Sequence, residues 1–332
     1  MTNYMKNNLA FDPLPETGLQ ASRLSRWTRL TLLLLLFCWT LPAGLYAKDD
    51  DKKEEEPPPE PEEVDLTTRD GLHLYSTYYP GTKGKKSVPV VILHDIKESG
   101  DDYESLALYL QKKGHAVLVP DMRGHGRSTQ IDLGRNRTAT IKGSRLNDKQ
   151  MKAIVRNDMG AIRSFLLDEN NQGNLNVEKL CLVGTGAGAL VAMNYAAVDW
   201  SWQDLANKKQ GKDVKALVLI SPAWAHKKLQ ARTFIDDRRV QGKLSIMMLV
   251  GREDKATYKS SKSIHKLLSR YHPEPDTDVR KLKSLYLFEK DTELQGEKLI
   301  NTPEFKANRT IAGFIKARLG SKNIPWQDRT DP

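Results

Sequence analysis

Cysteine is nearly absent from this chain of 332 residues, which has two, Cys38 and Cys181. Cys38 lies in an apolar run near the N-terminus, so only Cys181 remains for everything that follows. No intramolecular disulfide can therefore form in residues 64–332. Cys181 itself lies in a short apolar run typical of a strand, and we expect a packed thiol there rather than a reactive one.

Long apolar runs are missing as well. The longest, residues 30–39, is about half the length that a membrane-spanning helix requires. Three arginines precede it, a proline and a glycine follow it, and residues 45–47 resemble a cleavage site. Residues 1–47 therefore favour a signal peptide, with an uncleaved N-terminal anchor as the rival interpretation. Both predict export, to a periplasmic, secreted or membrane-tethered location.

Residues 48–63 lack any apolar side chain except proline and carry nine acids against three lysines. Such a composition cannot bury enough apolar surface to fold, so it predicts a disordered acidic linker, extended by its prolines and its like charges. Because the whole chain has a net charge of +10, residues 64–332 hold +14. That excess predicts attraction to an anionic envelope surface or acidic polysaccharide. No nucleic-acid motif accompanies it, and no obligate partner is indicated.

Residues 64–332 alternate between short apolar runs and segments with helical spacing. This alternation predicts one α/β domain with a doubly wound, mostly parallel sheet of about eight strands, whose site lies at the strands' C-terminal ends. Only residues 222–243 are available between two of the later strands, which predicts a minimal cap. The predicted strands are residues 64–68, 72–78, 88–93, 116–119, a strand beginning at 180, 216–220, 244–250 and 282–288; the predicted helices are 103–113, 151–168, 259–270 and 303–319.

The stretch at residues 180–194, LCLVGTGAGALVAMN, predicts a strand, a sharp turn and a helix. Such a turn presents a nucleophile in the pattern GxSxG or cradles a pyrophosphate in the pattern GxGxxG/A. Gly184, Gly186 and Ala189 satisfy the second pattern. However, the next strand ends in Ser221-Pro222 rather than in the acid that a dinucleotide site requires. Dinucleotide binding therefore stands as a third interpretation of function.

Several motifs together resemble the α/β-hydrolase family, especially its monoacylglycerol-lipase-like and S33-peptidase-like members, over roughly residues 64–319. Leu93-His94-Asp95 is similar to the family's His-Gly turn, and residues 121–128, DMRGHGRS, are similar to its DxRGHGxS segment. The remaining matches are residues 184–188 for the nucleophile elbow, 251–254 for the acid-bearing loop and 294–296 for the His-Gly pair.

The resemblance implies a catalytic triad at Gly186, Gln295 and Asp254, with the oxyanion held by the backbone N–H groups of Ile96 and Ala187. In the family mechanism a serine attacks, a histidine takes its proton and an acid orients that histidine. Glycine has no attacking atom and glutamine cannot take a proton, so only Asp254 matches. The sequence therefore predicts a pseudo-hydrolase that acts as a ligand-binding or scaffolding domain for a small acyl or peptide-like ligand, without a cofactor.

The alternative is a working carboxylic-ester, lipid or peptide hydrolase with a non-standard nucleophile. Thr185 lies one residue too early to stand at the elbow tip, and Ser128 and Ser221 are typical of turns and caps. His94 and His125 are expected to hold the loops beneath the site.

Two further expectations concern the surroundings of the elbow. Asp95, in place of the family's glycine, is expected to bring a carboxylate close to the oxyanion donors. No pair of histidines has a metal-ligand spacing such as HxxxH, so the sequence predicts no metal site.

Overall fold

The computed structural model of the protein describes residues 57–206, 209–275 and 283–329. The predicted signal peptide or anchor at residues 1–47, and the acidic linker as far as residue 56, lie outside this range. Among the described helices, none combines the length and the apolarity that crossing a bilayer requires.

The described strands form one large sheet and two small ribbons. In chain order they are β1 Glu62–Thr67, β2 His73–Tyr79, β3 Pro89–Leu93, β4 Ala116–Pro120, β5 Gln130–Asp132, β6 Thr138–Thr140, β7 Leu180–Thr185, β8 Val214–Ile220, β9 Ala225–His226, β10 Leu229–Gln230, β11 Ser245–Gly251 and β12 Leu285–Lys290. The large sheet has eight strands in the order β1-β2-β4-β3-β7-β8-β11-β12. Its first two pairings are antiparallel and the other five are parallel. The predicted mostly parallel sheet is confirmed.

Helices cover both faces of this sheet. They are α1 Glu104–Gln111, α2 Asp148–Ala153, α3 Met159–Asn171, α4 Gly186–Asp199, α5 Ala231–Ile235, α6 Lys255–Leu268, α7 Gly296–Asn301 and α8 Ala307–Ile315. A π-helical turn joins α2 to α3, and another follows α8 at Lys316–Gly320.

The core is divided by the strands into two apolar layers, as a doubly wound sheet requires. Side chains alternate along a strand, so Val91 and Leu93 of β3 pack towards the layer that contains residues of α2 to α6. Val90 and Ile92 pack towards the layer that contains residues of α1, α7 and α8. Strands β3, β4, β7 and β11 are buried along their whole length, which explains their continuous apolar sequences.

Several boundaries differ from the sequence predictions; β1, for example, begins at Glu62, within the predicted linker. Three further differences have a local reason. The helix predicted at 151–168 begins earlier, because Asn147 and Gln150 form a reciprocal capping box ahead of α2. The helix predicted at 303–319 is interrupted, because Lys306 adopts a left-handed backbone with φ of 51°. The polar segment at 128–150 contains the β5–β6 ribbon, which sequence reasoning missed.

The cap is as small as the sequence predicts. Between β8 and β11 the chain forms only the β9–β10 ribbon and the short helix α5. Phe234 of α5 is 1% exposed and packs in the core, as expected for a cap that lies on the sheet rather than above an open cleft.

Candidate functional site

Four loops meet at the C-terminal edge of the parallel strands, where α/β proteins place their sites. Asp95 follows β3, Gly186 follows β7, Ser221 follows β8 and Asp254 follows β11. Gln295 directly precedes α7 and reaches the same edge. The topology therefore brings the sequence-predicted positions to one side of the sheet.

The turn from β7 to α4 needs its glycines. Gly186 has φ of +48°, in the left-handed region that other residues rarely adopt. A Cβ at Gly184 would lie 2.6 Å from the Cα of Ala189, and one at Gly188 would lie 2.2 Å from the carbonyl oxygen of Leu93. The turn is therefore a tight elbow packed against the end of β3.

The carboxylate of Asp95 fills the tip of this elbow. The backbone N–H of Ala187 donates to Asp95 Oδ1 over 2.7 Å. A Cβ at Gly186, the first atom of any nucleophilic side chain there, would lie 2.3 Å from Asp95 Cγ. The expected carboxylate beside the oxyanion donors is present, and it already accepts from one of them. The N–H of Ile96, the other predicted donor, has no acceptor within the described residues.

A second carboxylate, that of Glu98, holds the elbow from beneath. Its Oε2 accepts from the backbone N–H of Asp95 over 2.8 Å and from the hydroxyl of Thr185 over 3.0 Å. The hydroxyl of Tyr103 also donates to Oε2 and is paired with that of Thr185. Glu98 Oε1 accepts from the N–H of Glu297 at the start of α7. Burial, reinforced by Glu98, raises the pKa of Tyr103 well above its ordinary value, so this phenol stays protonated.

Thr185 is part of this buried network and not an exposed nucleophile. Its side chain is fully buried, with its hydroxyl directed towards Tyr103 and Glu98. Thr185 therefore does not stand at the elbow tip, as its position one residue too early predicts. Sequence analysis missed Glu98 and Tyr103, because nothing in their local pattern distinguishes them from ordinary loop and helix residues.

Gln295 occupies the predicted base position as a structural amide. Its Nε2 donates to the carbonyl of Gly251 over 2.9 Å, and its Oε1 accepts from the hydroxyl of Ser221 over 2.6 Å. The Ser221 hydroxyl in turn accepts from the N–H of Gly296 over 3.1 Å. Ser221 has φ of 47°, a strained value for a residue with a side chain. Its proton is held by an amide oxygen, which is too weak a base to activate it.

Asp254, the predicted acid, caps helix α6. Its carboxylate accepts from the N–H groups of Ala256 and Thr257 over 3.0 and 3.2 Å and from the Thr257 hydroxyl over 2.9 Å. All of the hydrogen bonds that this carboxylate makes within the described residues go to the first turn of α6. The structure therefore brings Gln295 to Gly251 and Ser221, and no hydrogen bond joins these two described residues, Gln295 and Asp254.

The two histidines beneath the site hold loop backbone, which confirms their predicted role. His94 Nε2 accepts from the N–H of Met122 over 2.8 Å, and its Nδ1 donates to the carbonyl of Asp95 over 2.6 Å. Burial lowers the pKa of His94, which suits this neutral tautomer. His125 Nε2 bonds to the carbonyl of Ile96 over 2.7 Å.

The DxRGHGxS segment is structural too. Arg123 is 1% exposed and forms paired hydrogen bonds with Asp70, both of 2.8 Å, and with Asp158. Although burial opposes it, hydrogen bonding to Arg123 lowers the pKa of Asp70 to about 2. At Asp158 the effect of burial is larger than that of the hydrogen bonds to Arg123, and the pKa of Asp158 is raised to about 6. Ser128 is fully buried and its hydroxyl accepts from the N–H of Tyr75 over 2.9 Å, so it too is a structural hydroxyl.

No group of three or more histidine, cysteine, aspartate or glutamate side chains in the described part of the chain is arranged to hold a metal ion.

Sequence comparisons identify short segments of similarity to curated proteins. A non-heme chloroperoxidase of Burkholderia pyrrocinia is 36% identical over 69 residues, 21% of this chain and 24% of that protein. A bifunctional esterase/perhydrolase of Acinetobacter calcoaceticus is 36% identical over 67 residues, 20% of this chain and 23% of that protein. The similarity thus spans about a quarter of each relative.

Solved structures show the same fold over most of the chain. An esterase of Pyrococcus furiosus superposes with a TM-score of 0.55 at 16% identity, over 78% of this chain and 92% of that one. A Rhizomucor miehei esterase gives a TM-score of 0.54 at 14% identity, over 80% and 86%.

The family model for the serine aminopeptidase, S33, matches residues 84–274, more than half of the chain. This match covers the end of β3, residues 121–128, the glycine elbow and the loop after β11, which are four of the five segments on which the predicted resemblance rests; residues 294–296 lie beyond it. The chain therefore belongs to the S33 serine aminopeptidase family and has the α/β-hydrolase fold.

Proposed function

We propose that this protein is a pseudo-hydrolase, an α/β-hydrolase-fold domain that binds or scaffolds without turning over an ester or peptide. The observation that carries this proposal is the Asp95 carboxylate at the elbow tip, in the space that a nucleophilic side chain at Gly186 would need. A reacting carbonyl oxygen needs the Ala187 N–H, and that donor is already engaged by an anion.

The attacking atom and the base of acyl transfer are missing at this edge of the sheet, and one of the two predicted oxyanion donors is already occupied. The mechanism needs an attacking atom, a base that accepts its proton and donors for the oxyanion. Gly186 has no attacking atom, the Gln295 amide cannot accept a proton, and the Asp254 carboxylate is used by α6. The negative charge of Asp95 beside the donors would also repel the developing oxyanion. It would repel the phosphates of a dinucleotide for the same reason.

The charge of Asp95 also indicates which of the two predicted ligand classes fits this site better. An anionic acyl product would be repelled by Asp95, whereas an ammonium or amide N–H of a peptide-like ligand would be attracted to it. Of the two predicted ligand classes, the peptide-like one is favoured. We further propose an exported protein, on the strength of the apolar run at residues 30–39 and its flanking arginines.

The alternative is a working hydrolase in which Asp95 itself supplies the chemistry. The carboxylate lies in the space that a side chain at Gly186 would occupy. It also lies close enough to His226 of the cap to oppose the lowering of that ring's pKa by burial. In this alternative Asp95 acts as the base for a water molecule. The Asp95→Asn variant distinguishes it, because the amide keeps the shape of the side chain but cannot take a proton.

The direct experiment is labelling of the full chain with a fluorophosphonate serine probe, together with a short-chain ester assay. The expected outcome is no labelling and no turnover above a denatured control. Stoichiometric labelling of any serine would overturn the proposal. Ester hydrolysis that Asp95→Asn abolishes would establish the alternative in its place.

Restoring the family residues provides the positive control. A serine at Gly186 would collide with Asp95, so we expect Gly186→Ser and Gly186→Ser/Gln295→His to be inert. Adding Asp95→Gly vacates the elbow and frees the Ala187 N–H. The triple variant is expected to react with the probe, because triad members act as a unit and their effects are not additive. Activity of Gly186→Ser alone would contradict this account of the elbow.

A further inference from the structure

A large cavity lies at the end of the sheet opposite the elbow. Val88, which precedes β3, and His115, which precedes β4, line its base, so it lies at the N-terminal ends of parallel strands. The turn after β2, the end of α1, the end of α8 with its π-helical turn, and residues 321–326 form the walls. Its volume is about 970 Å³, enough for a ligand of substantial size.

The lining of this cavity, hereafter the basic cavity, is one-sided in charge. Its described residues include no aspartate or glutamate. Among the described residues, no carboxylate forms an ion pair with any of its cations. These cations are Lys83, Lys85, Lys86, Lys113, Lys179, Arg309, Lys316 and Lys322. Like charges gathered around one space repel each other, and a bound anion would offset that repulsion.

Lys179 is the most informative of these cations. It is 7% exposed, and its ammonium has no hydrogen-bond or ion-pair partner in the described part of the chain. The neighbouring carboxylate of Glu178 is already engaged by Lys209 and Arg329. Burial lowers the pKa of Lys179, which reflects the cost of a charge without a partner. A lysine that is largely buried, lines a cavity and has no carboxylate partner among the described residues is the arrangement expected of a charge that an external anion completes.

The cavity also offers apolar and aromatic surface. Val88, Ala312 and Ile324 contribute to its lining, and Trp326 lies under the ammonium of Lys85, 3.6 Å from its ring centroid. His115 is 6% exposed, and burial together with Lys83 lowers its pKa to about 4. The ring is therefore neutral at pH 7, and it adds a hydrogen-bonding group without a further charge.

We propose that the basic cavity binds a compact ligand carrying two or more phosphate groups. Seven of its eight cations are lysines, whose compact ammonium groups bind phosphate as point charges and do not require the planar, bidentate geometry of an arginine fork. Eight cations with no carboxylate in the described lining match a ligand that carries several negative charges at close spacing. The cations surround a cavity instead of following a stripe, which favours a compact anion over an extended polymer. The apolar wall suits the non-phosphate part of either a lipid headgroup or a soluble phosphate ester. This site is independent of the elbow and of the function proposed for it.

The test is calorimetric titration of the full chain with tripolyphosphate at physiological ionic strength. We expect one tripolyphosphate per chain, and weakening by about tenfold or more in the charge-reversal variant Lys86→Glu/Lys316→Glu. Both side chains are exposed and form no hydrogen bond, ion pair or ring contact with other described side chains, so the fold should tolerate the change. If it does not, as judged by circular dichroism, Lys86→Gln/Lys316→Gln replaces it with the same expectation in direction.

The matched control is Lys149→Glu/Lys259→Glu, which changes the net charge equally at exposed positions outside the cavity. It should alter binding by less than about twofold, since exposed charges at a distance are screened. Phosphatidylcholine vesicles with and without cardiolipin identify the source. Cardiolipin-dependent binding that tripolyphosphate displaces indicates a lipid, whereas tripolyphosphate binding alone indicates a soluble ligand. Three results would overturn the proposal. They are equal weakening in both variant pairs, no binding of tripolyphosphate, and binding of heparin or DNA that tripolyphosphate does not displace.

Discussion

Gly186→Ala tests directly whether the Asp95 carboxylate occupies the elbow. The added methyl group meets two obstacles. The backbone at Gly186 has φ of +48°, and the new Cβ would lie 2.3 to 2.4 Å from all three atoms of the Asp95 carboxylate group. Asp95 must rotate away, and it then loses its hydrogen bond to the Ala187 N–H.

The expected change in the free energy of unfolding combines two costs and one gain. A left-handed backbone costs a residue with a side chain roughly 1–2 kcal/mol. A hydrogen bond to a charged group contributes about 1.5–3 kcal/mol. Replacing glycine also restricts the unfolded chain, and this effect raises the free energy of unfolding by about 0.4–1 kcal/mol. We therefore expect Gly186→Ala to lower the free energy of unfolding by about 2–4 kcal/mol. In an Asp95→Ala background, the backbone contribution alone should remain, about 1 kcal/mol.

The assay is urea unfolding of the four proteins of this double-mutant cycle at pH 7, followed by circular dichroism. Gly134→Ala is the matched control, because Gly134 also has positive φ, at +74°, yet a Cβ there would meet no atom of the described residues within 4 Å. It should cost about 1 kcal/mol or less in either background. Additive costs for Gly186→Ala and Asp95→Ala would refute the placement of the carboxylate at the elbow tip.

Two further predictions concern buried charge. The pKa of His115 is about 4 in the folded protein, against an ordinary value of 6.5. Its contribution to the free energy of unfolding is therefore complete above pH 6.5 and is lost as the pH decreases towards 4. Between pH 7 and pH 5 the free energy of unfolding should fall by about 2 kcal/mol more in the parent than in His115→Gln, as measured by urea unfolding at both pH values. An equal fall in the two proteins would contradict this prediction. Arg123→Met leaves the Asp158 carboxyl buried without its cation, and should cost about 3–5 kcal/mol in thermal unfolding. Arg123→Met/Asp158→Leu should recover much of that loss, and no recovery would show that packing of Arg123, not charge, is what matters.

The architecture was predictable because its determinants are local. Continuous apolar runs such as residues 88–93 and 180–183 are required of strands buried on both faces, and they mark β3 and β7 in the sequence directly. The β5–β6 ribbon and the interruption before α8 were not predictable in the same way. The ribbon lies in a largely polar segment, and the interruption depends on one left-handed residue, Lys306, which periodicity does not reveal.

The candidate site was predictable only where a position in a motif fixes a position in space. The motif located Gly186 at the elbow, and the replacement of glycine by Asp95 predicted a carboxylate near the oxyanion donors. The role of Glu98 was out of reach, because its partners Thr185 and Glu297 are 87 and 199 residues away along the chain. Motif matching therefore identifies which residues are absent from a catalytic site. Only the fold shows that another side chain occupies the vacated space, and this is why restoring the missing serine and histidine without changing Asp95 should fail.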